Sequence, residues 1–223
     1  RDALRAARRG RAQAARALDE RATQARGGDA YVLMQRAGLA AWQHLLLHWP
    51  DGQRVVVVSS GDPGVFAMAA AVFEAMEDRP DWQALSVSVL PGITAMLAAA
   101  ARAGAPLGHD FAAINLSDNL KPFELVEKRL RLAAQADFAM AFYNPRSKSR
   151  PHQFARVLDI LREECEPERL ILFARAVSTP EEEIRCVSLG EATPEMADMR
   201  TMVIVGNSAT RRVGPHIYTP RRA

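Results

Sequence analysis

The sequence predicts an α/β protein, and two observations carry that prediction. The first is the stretch Arg54-Val55-Val56-Val57-Val58-Ser59-Ser60-Gly61-Asp62-Pro63-Gly64-Val65-Phe66. Four consecutive valines, followed at once by Ser, Gly, Asp and Pro, read as a strand buried on both faces of a parallel sheet and then a sharp turn. The second is that the unit recurs. Ser86-Val87-Ser88-Val89-Leu90 alternates, meets Pro91-Gly92-Ile93-Thr94-Ala95, and runs into an alanine-rich stretch. Strand, glycine-bearing loop and helix is the half-unit on which open α/β sheets place ligands. Two such units in succession point to one shared crevice. The plainer reading of the first loop is a tight turn with a capping Asp62.

The 223 residues suffice for one large or two small domains, and 48% hydrophobic content supplies a sizeable core. No apolar run approaches the roughly 20 residues of a membrane span. No signal-peptide pattern opens the chain, so a cytoplasmic location is expected. Cys165 and Cys186 offer neither a disulfide framework nor metal-ligand spacing. A net charge of +3 is mild. It suits an anionic small molecule, and without lysine runs, zinc-finger spacing or stacked aromatics no nucleic-acid partner is expected.

In chain order, residues 1–29 are rich in arginine and alanine and poor in bulk, with only Leu4 and Leu18. They read as a solvated helix. Residues 30–49 repeat apolar positions near helical spacing. His44 and His48 stand one turn apart there, but with no Glu after His44 and no third ligand no metal site is expected. Pro50-Asp51-Gly52 closes that helix. Strands are expected at 54–58 and 86–90, with helices from Val65 to about Met76 and over 95–103. Gly104-Ala105-Pro106-Leu107-Gly108 reads as a linker between domains. The second half alternates again: strand 111–115, helix 122–135 with Pro122 in its first turn, strand 137–143, helix 151–164 and strand 170–174. Segments 183–188 and 201–206 read as a hairpin-like pair. Together they predict a mixed sheet with parallel strands and an antiparallel edge.

The loops of this chain, in their order, resemble the tetrapyrrole methyltransferases of cobalamin and siroheme biosynthesis. The carrying residues are Ser60-Gly61-Asp62-Pro63, then Leu90-Pro91-Gly92-Ile93-Thr94-Ala95, then the Tyr143 loop and the late strands. Four further stretches resemble the branch acting at C-17: Gly104 to Ile114, Asn115 to Pro122, Phe142-Tyr143-Asn144-Pro145-Arg146-Ser147, and Ile217 to Arg221. The likeness runs from about residue 54 to 221. Residues 1–53 lack the family's opening strand and its Gly-Pro-Gly-Asp loop. Instead, Leu33-Met34-Gln35-Arg36-Ala37-Gly38 is similar to the start of hydrated-nicotinamide-nucleotide epimerases, without that family's phosphate loop.

The resemblance implies two α/β domains with S-adenosylmethionine in the cleft between them, the first lacking its usual opening strand. The implied division is an atypical helical segment 1–53, an incomplete domain 54–106 and a second domain 107–223. It implies a homodimer that methylates C-17 of precorrin-3B, or of cobalt-factor III, with ring contraction. Sibling activity at another ring position, or a remnant that binds without turnover, are the alternatives. Cofactor contacts are implied at Ser60, Gly61, Asp62, Val65, Thr94, Ala95, Tyr143 and Ser178, where related enzymes often have glycine. No catalytic metal is implied. The polycarboxylate substrate suits the cationic loop of Arg146, Lys148 and Arg150, which otherwise reads as a solvated face. His109 and Asp118 are candidates for the proton transfers of ring contraction; a structural role is the alternative for each.

Overall fold

The computed structural model describes residues 56–222. The helical readings of 1–29 and 30–49, the His44/His48 pair, the epimerase-like stretch, and Arg54 and Val55 lie outside the described residues. The chain divides into two compact units; among described residues the first holds 56–59 and 67–90, the second 60–66 and 91–222.

In the first unit, helix α1 spans Met68–Met76 and a short α2 spans Pro80–Gln83. The Gln83 amide donates to the carbonyls of Met76 and Glu77 (3.0 and 2.6 Å), tying the two together. The expected strands are not formed here. Residues 56–58 and 86–90 have no ladder partner among the described residues. A strand is made by its neighbour's hydrogen bonds, and the valine run lies open, with Val56 and Val58 83% and 87% exposed.

The second unit is built on a five-stranded sheet. Its strands are β2 (Phe111–Asn115), β3 (Ala139–Tyr143), β4 (Leu170–Arg175), β5 (Glu183–Ser188) and β6 (Thr201–Val205), in spatial order β2-β3-β6-β4-β5. Only β2 and β3 run parallel, with Asn115 opposite Tyr143; every other pair is antiparallel. The sheet is mixed, as expected, but antiparallel pairing dominates. The expected 183–188/201–206 hairpin is absent. β6 lies between β3 and β4 while β5 takes the edge beyond β4. Composition explains the swap. Thr-Met-Val-Ile-Val is apolar on both faces and fully buried, whereas Glu-Ile-Arg-Cys-Val-Ser is polar enough for an edge.

Both faces of the sheet are covered. On one lie α4 (Phe123–Gln135) and α5 (Gln153–Glu164), whose Val126, Leu130, Ala133 and Ala134, and Phe154, Val157, Leu158 and Leu161, recur at helical spacing. They pack on Met140, Phe142, Ile171, Phe173, Val203 and Val205. Phe154 and Phe173 meet edge to face, 6.1 Å apart. The alternate strand residues Ala141, Leu172, Ala174, Met202 and Ile204 face α3 (Ala95–Ala103) through its Ala99, Ala100 and Ala103. Pro122 precedes α4 as its cap residue in extended conformation and is not in the first turn.

The 104–108 linker reading gives way as well. Gly104–Ala105 is strand β1, parallel to β8 (His216–Tyr218), which pairs in turn with β7 (Arg211–Val213). Cys165 and Cys186 are free and half-buried, and burial pushes both thiols up. Among the described residues no helix is long and apolar enough to cross a membrane, and no cluster of three His, Cys, Asp or Glu side chains could hold a metal.

Arg169 ties together the edge of the sheet where β3 and β4 begin. Its guanidinium is buried and reaches Glu166 twice (2.7 and 2.8 Å), Asp137 (2.8 Å) and the Gly206 carbonyl (3.1 Å). Asp137 also accepts from the Ser208 N–H and hydroxyl. Burial alone would raise the Asp137 carboxyl, but Ser208 and Arg169 together hold it below the usual range; the Arg169 hydrogen bond does the same to Glu166. Both carboxyls are depressed in the folded state. Their contribution is therefore complete above the unfolded values near pH 4 and is lost as pH falls through the folded ones. Arg169→Leu is expected to cost roughly 3 kcal/mol at pH 7, the low end for a broken buried pair because both carboxylates keep some water. Urea melts at pH 7 and pH 3 check this; the gap between variant and parent should shrink at the lower pH.

Candidate functional site

The site begins where two chain segments lie backbone on backbone. Gly61 adopts φ +71°, a conformation that favours glycine. A Cβ on Gly92 would sit 2.2 Å from the Gly61 carbonyl oxygen, so the two loops can touch only because residue 92 has no side chain. The Asp62 carboxylate fastens them. One oxygen accepts from the Gly64 N–H (2.8 Å) and the other from the Gly92 N–H (3.0 Å). Asp62 is thus a loop clamp, close to the turn-and-cap reading of this motif. The Val65 N–H closes the turn on the Asp62 carbonyl (3.3 Å).

Tyr143, the last residue of β3, joins these loops to the sheet. Its ring meets Phe66 edge to face at 5.0 Å. Its hydroxyl bonds the hydroxyl of the buried Thr94 and accepts from the Met96 N–H (3.3 Å). Thr94 caps α3 without its side chain bonding that helix, because the hydroxyl is spent on Tyr143. Gly61, Asp62, Thr94, Ala95 and Tyr143 therefore share one neighbourhood, with Ser60 and Val65 on the same loop. The exposed side chains of Phe66 and Ile93 give it an apolar surface.

Ser178 belongs to a different set of contacts. Its N–H donates to Glu182 (2.6 Å), which pairs with Arg102 in the last turn of α3. That turn is about 10 Å along the helix from Ala95. Ser178 has φ +64°, the left-handed region where glycine is favoured.

The loop after Tyr143 is knit by its own polar groups. Asn144, at φ +53°, donates from its amide to the Asn115 side-chain oxygen (3.1 Å), which also accepts from the Ser117 N–H (3.0 Å). Arg146 donates to the Pro151 carbonyl (3.2 Å). The Arg150 N–H donates to the Ser147 carbonyl and hydroxyl, and its guanidinium reaches Gln153 at 3.4 Å. Lys148 is exposed. His109 and Asp118 do not converge. His109 precedes β2, 3.9 Å from Asp110, and Asp118 follows it. At about 3.3 Å per residue, β2 keeps them well apart. Three residues went unselected by sequence reasoning: Phe66, Asn115 and Lys121. The available signal was position: Asn115 ends β2, while Phe66 and Lys121 lie in loops just before the caps of α1 and α4.

A sequence profile of the family described as Tetrapyrrole (Corrin/Porphyrin) Methylases matches residues 7–193. The chain is 52% identical over 176 residues to a Sinorhizobium sp protein named precorrin-3B C(17)-methyltransferase, covering 76% of this chain and 69% of that one. Among solved structures it is similar to one described as the methyltransferase CobJ, with 75% identity and a TM-score of 0.76 over 80% of this chain and 74% of that chain. It is also similar to uroporphyrin-III C-methyl transferase from Thermus thermophilus complexed with S-adenosyl homocysteine. There the identity is 25% and the TM-score 0.54, over 74% of this chain and 68% of that one.

Gly92→Ala is expected to cost about 1–3 kcal/mol, the range for forced overpacking, because the new methyl meets backbone at Gly61. Gly64→Ala should cost less, since its Cβ would meet only the Asp62 side chain at 3.3 Å. Thermal melts of the two variants check the order.

Proposed function

The chain belongs to the tetrapyrrole (corrin/porphyrin) methylase family, and from that premise we propose that it transfers a methyl group from S-adenosylmethionine to C-17 of precorrin-3B, with ring contraction, in cobalamin biosynthesis. The observation that carries this is the 52% identity over 176 residues to the Sinorhizobium enzyme. We extend the proposal to a homodimer acting in the cytoplasm, as the family resemblance implies.

The residues present suit the cofactor. Backbone groups of Gly61 and of Thr94-Ala95 offer polar contacts at strand-end loops, and the exposed Phe66 and Ile93 side chains offer apolar surface beside them. When bound, the cofactor supplies an electrophilic methyl on a sulfonium centre. The chain's part is to position and to exclude water. The Thr94–Tyr143 hydroxyl pair and the Asp62 clamp hold the loops in one geometry before any ligand arrives. Ser60, Val65 and Ser178 complete the proposed cofactor contacts. Arg146, Lys148 and Arg150 are proposed to meet substrate carboxylates. For proton transfer during contraction the proposal keeps Asp118, at the end of β2 shared with Tyr143, and sets aside His109 at the other end.

The test is incubation with methyl-labelled S-adenosylmethionine and precorrin-3B. One labelled methyl is expected in a contracted macrocycle, read by mass spectrometry. A protein that binds S-adenosylhomocysteine yet leaves the label on the donor would overturn the activity. Thr94→Val keeps shape but removes the hydroxyl, so calorimetry should find S-adenosylhomocysteine bound roughly tenfold more weakly, the equivalent of about 1.4 kcal/mol.

A further inference from the structure

Most of the buried and half-buried arginines in the described part of this molecule are matched by carboxylates. Arg131 pairs with Glu163 and Glu164, Arg156 with Glu127, Arg169 with Asp137 and Glu166, and Arg175 with Asp198. The loops that follow β2 and β3 break that pattern. Lys121 and Arg150 are half-buried there, yet among the described residues neither forms an ion pair.

Lys121 is held, not free. Its ammonium folds back to donate to the carbonyl of Asn115, the last residue of β2, at 2.8 Å. Asn115 is the register partner of Tyr143, and its side chain bonds Asn144 and Ser117, so the loops after both strands meet at this residue. Arg150 comes from the second of those loops, anchored through Ser147 and Gln153. An ammonium carries three donors and a guanidinium five; here one of each is engaged with the protein.

We propose that Lys121 and Arg150, from the loops that meet at Asn115 where β2 and β3 end, form a two-cation seat for one carboxylate arm of the substrate. The proposal rests on the tetrapyrrole reading above. Charge argues for it. Burial pushes the Lys121 ammonium below its ordinary value, Arg129 adds to that, and Asp118 opposes it; burial likewise lowers Arg150 against Asp118. A half-buried cation without a matching anion is costly to keep. An incoming carboxylate would relieve both at once, with charge-assisted hydrogen bonds to a point donor and to a planar fork. The seat differs from the cationic loop selected from sequence: it takes Lys121 from the preceding loop, while Arg146 has its Nε–H on Pro151.

The test uses the full chain and uroporphyrin, a stable polycarboxylate tetrapyrrole, titrated by absorbance. S-adenosylhomocysteine is titrated in parallel by calorimetry. Lys121→Met should weaken uroporphyrin binding by roughly tenfold or more at low salt, with a smaller difference as salt rises. Lys121→Arg should bind within a few-fold of the parent, since it restores the charge. Arg150→Gln should repeat the Lys121→Met result, and serves in its place if that variant does not fold. The exposed Lys128→Ala should change nothing, and affinity for S-adenosylhomocysteine should hold throughout. If the parent binds uroporphyrin and Lys121→Met and Arg150→Gln bind it equally well, the seat is refuted while the family function stands. If the parent binds S-adenosylhomocysteine but no tetrapyrrole, the seat falls together with the substrate. If it binds neither, the proposed function fails as a whole.

Discussion

One register governs this molecule: Asn115 of β2 opposite Tyr143 of β3 in the sole parallel pair of the five-stranded sheet. Parallel strands of equal length end together, so the loops that follow them leave from one edge. The same register decides which way each side chain points. Phe142 packs with α4 and α5, while Ala141 and Tyr143 pack on the α3 side. A slip of one residue would exchange those faces and take the Tyr143 hydroxyl away from Thr94. Neither hydroxyl could then fix the start of α3 beside the Gly61 and Gly92 loops.

The two edges of that sheet treat charge in opposite ways. At the edge where β3 and β4 begin, Arg169 is buried with two carboxylates and a carbonyl, and its environment is closed. That pairing fastens the turns before β3 and β4 and the loop after β6. At the edge where β2 and β3 end, Lys121 and Arg150 face mainly carbonyls, amides and one carboxylate. The first arrangement serves a fixed structure. The second leaves positive potential at a strand end, where an anion gains most from low surrounding dielectric.

Much of the second unit was legible in the sequence. Segments 111–115 and 183–188 are strands with the expected bounds, 201–206 is one up to Val205, and α3 spans 95–103 as expected. Such segments announce themselves by period and by glycine or proline at their ends. Pairing was less legible, because hydropathy reports burial and not neighbours. Yet the clue to the β6 position was present: a run apolar on both faces belongs inside a sheet and a polar one at its edge. The strands at 54–58 and 86–90 illustrate the converse. Valine content marks a segment that fits a strand, but the strand exists only where another supplies hydrogen bonds. Within the site, glycines and Tyr143 could be chosen from the resemblance, and the structure gathers Gly61, Asp62, Thr94 and Tyr143. Asn115 and Lys121 could not be chosen that way. The importance of Asn115 arises from its contact with a loop nearly thirty residues away in sequence, and that of Lys121 from folding back onto the Asn115 carbonyl.

The composition of α3 completes the physical account. A helix that must bring its first turn to a tyrosine on the neighbouring sheet has to lie close to that sheet. α3 does so by presenting only alanines, Ala99, Ala100 and Ala103, to the sheet face that holds Ala141, Leu172, Ala174, Met202 and Ile204. Leucines there would bury more apolar area, worth about 25 cal/mol per Å², and would also hold the helix away from β3. The Thr94–Tyr143 bond and the Met96 N–H contact both depend on that short separation. The alanine-rich stretch thus gives up hydrophobic stabilisation in exchange for reach. The larger side chains on the α4 and α5 side, Phe142, Phe154, Leu130 and Leu158 among them, supply the core that permits it.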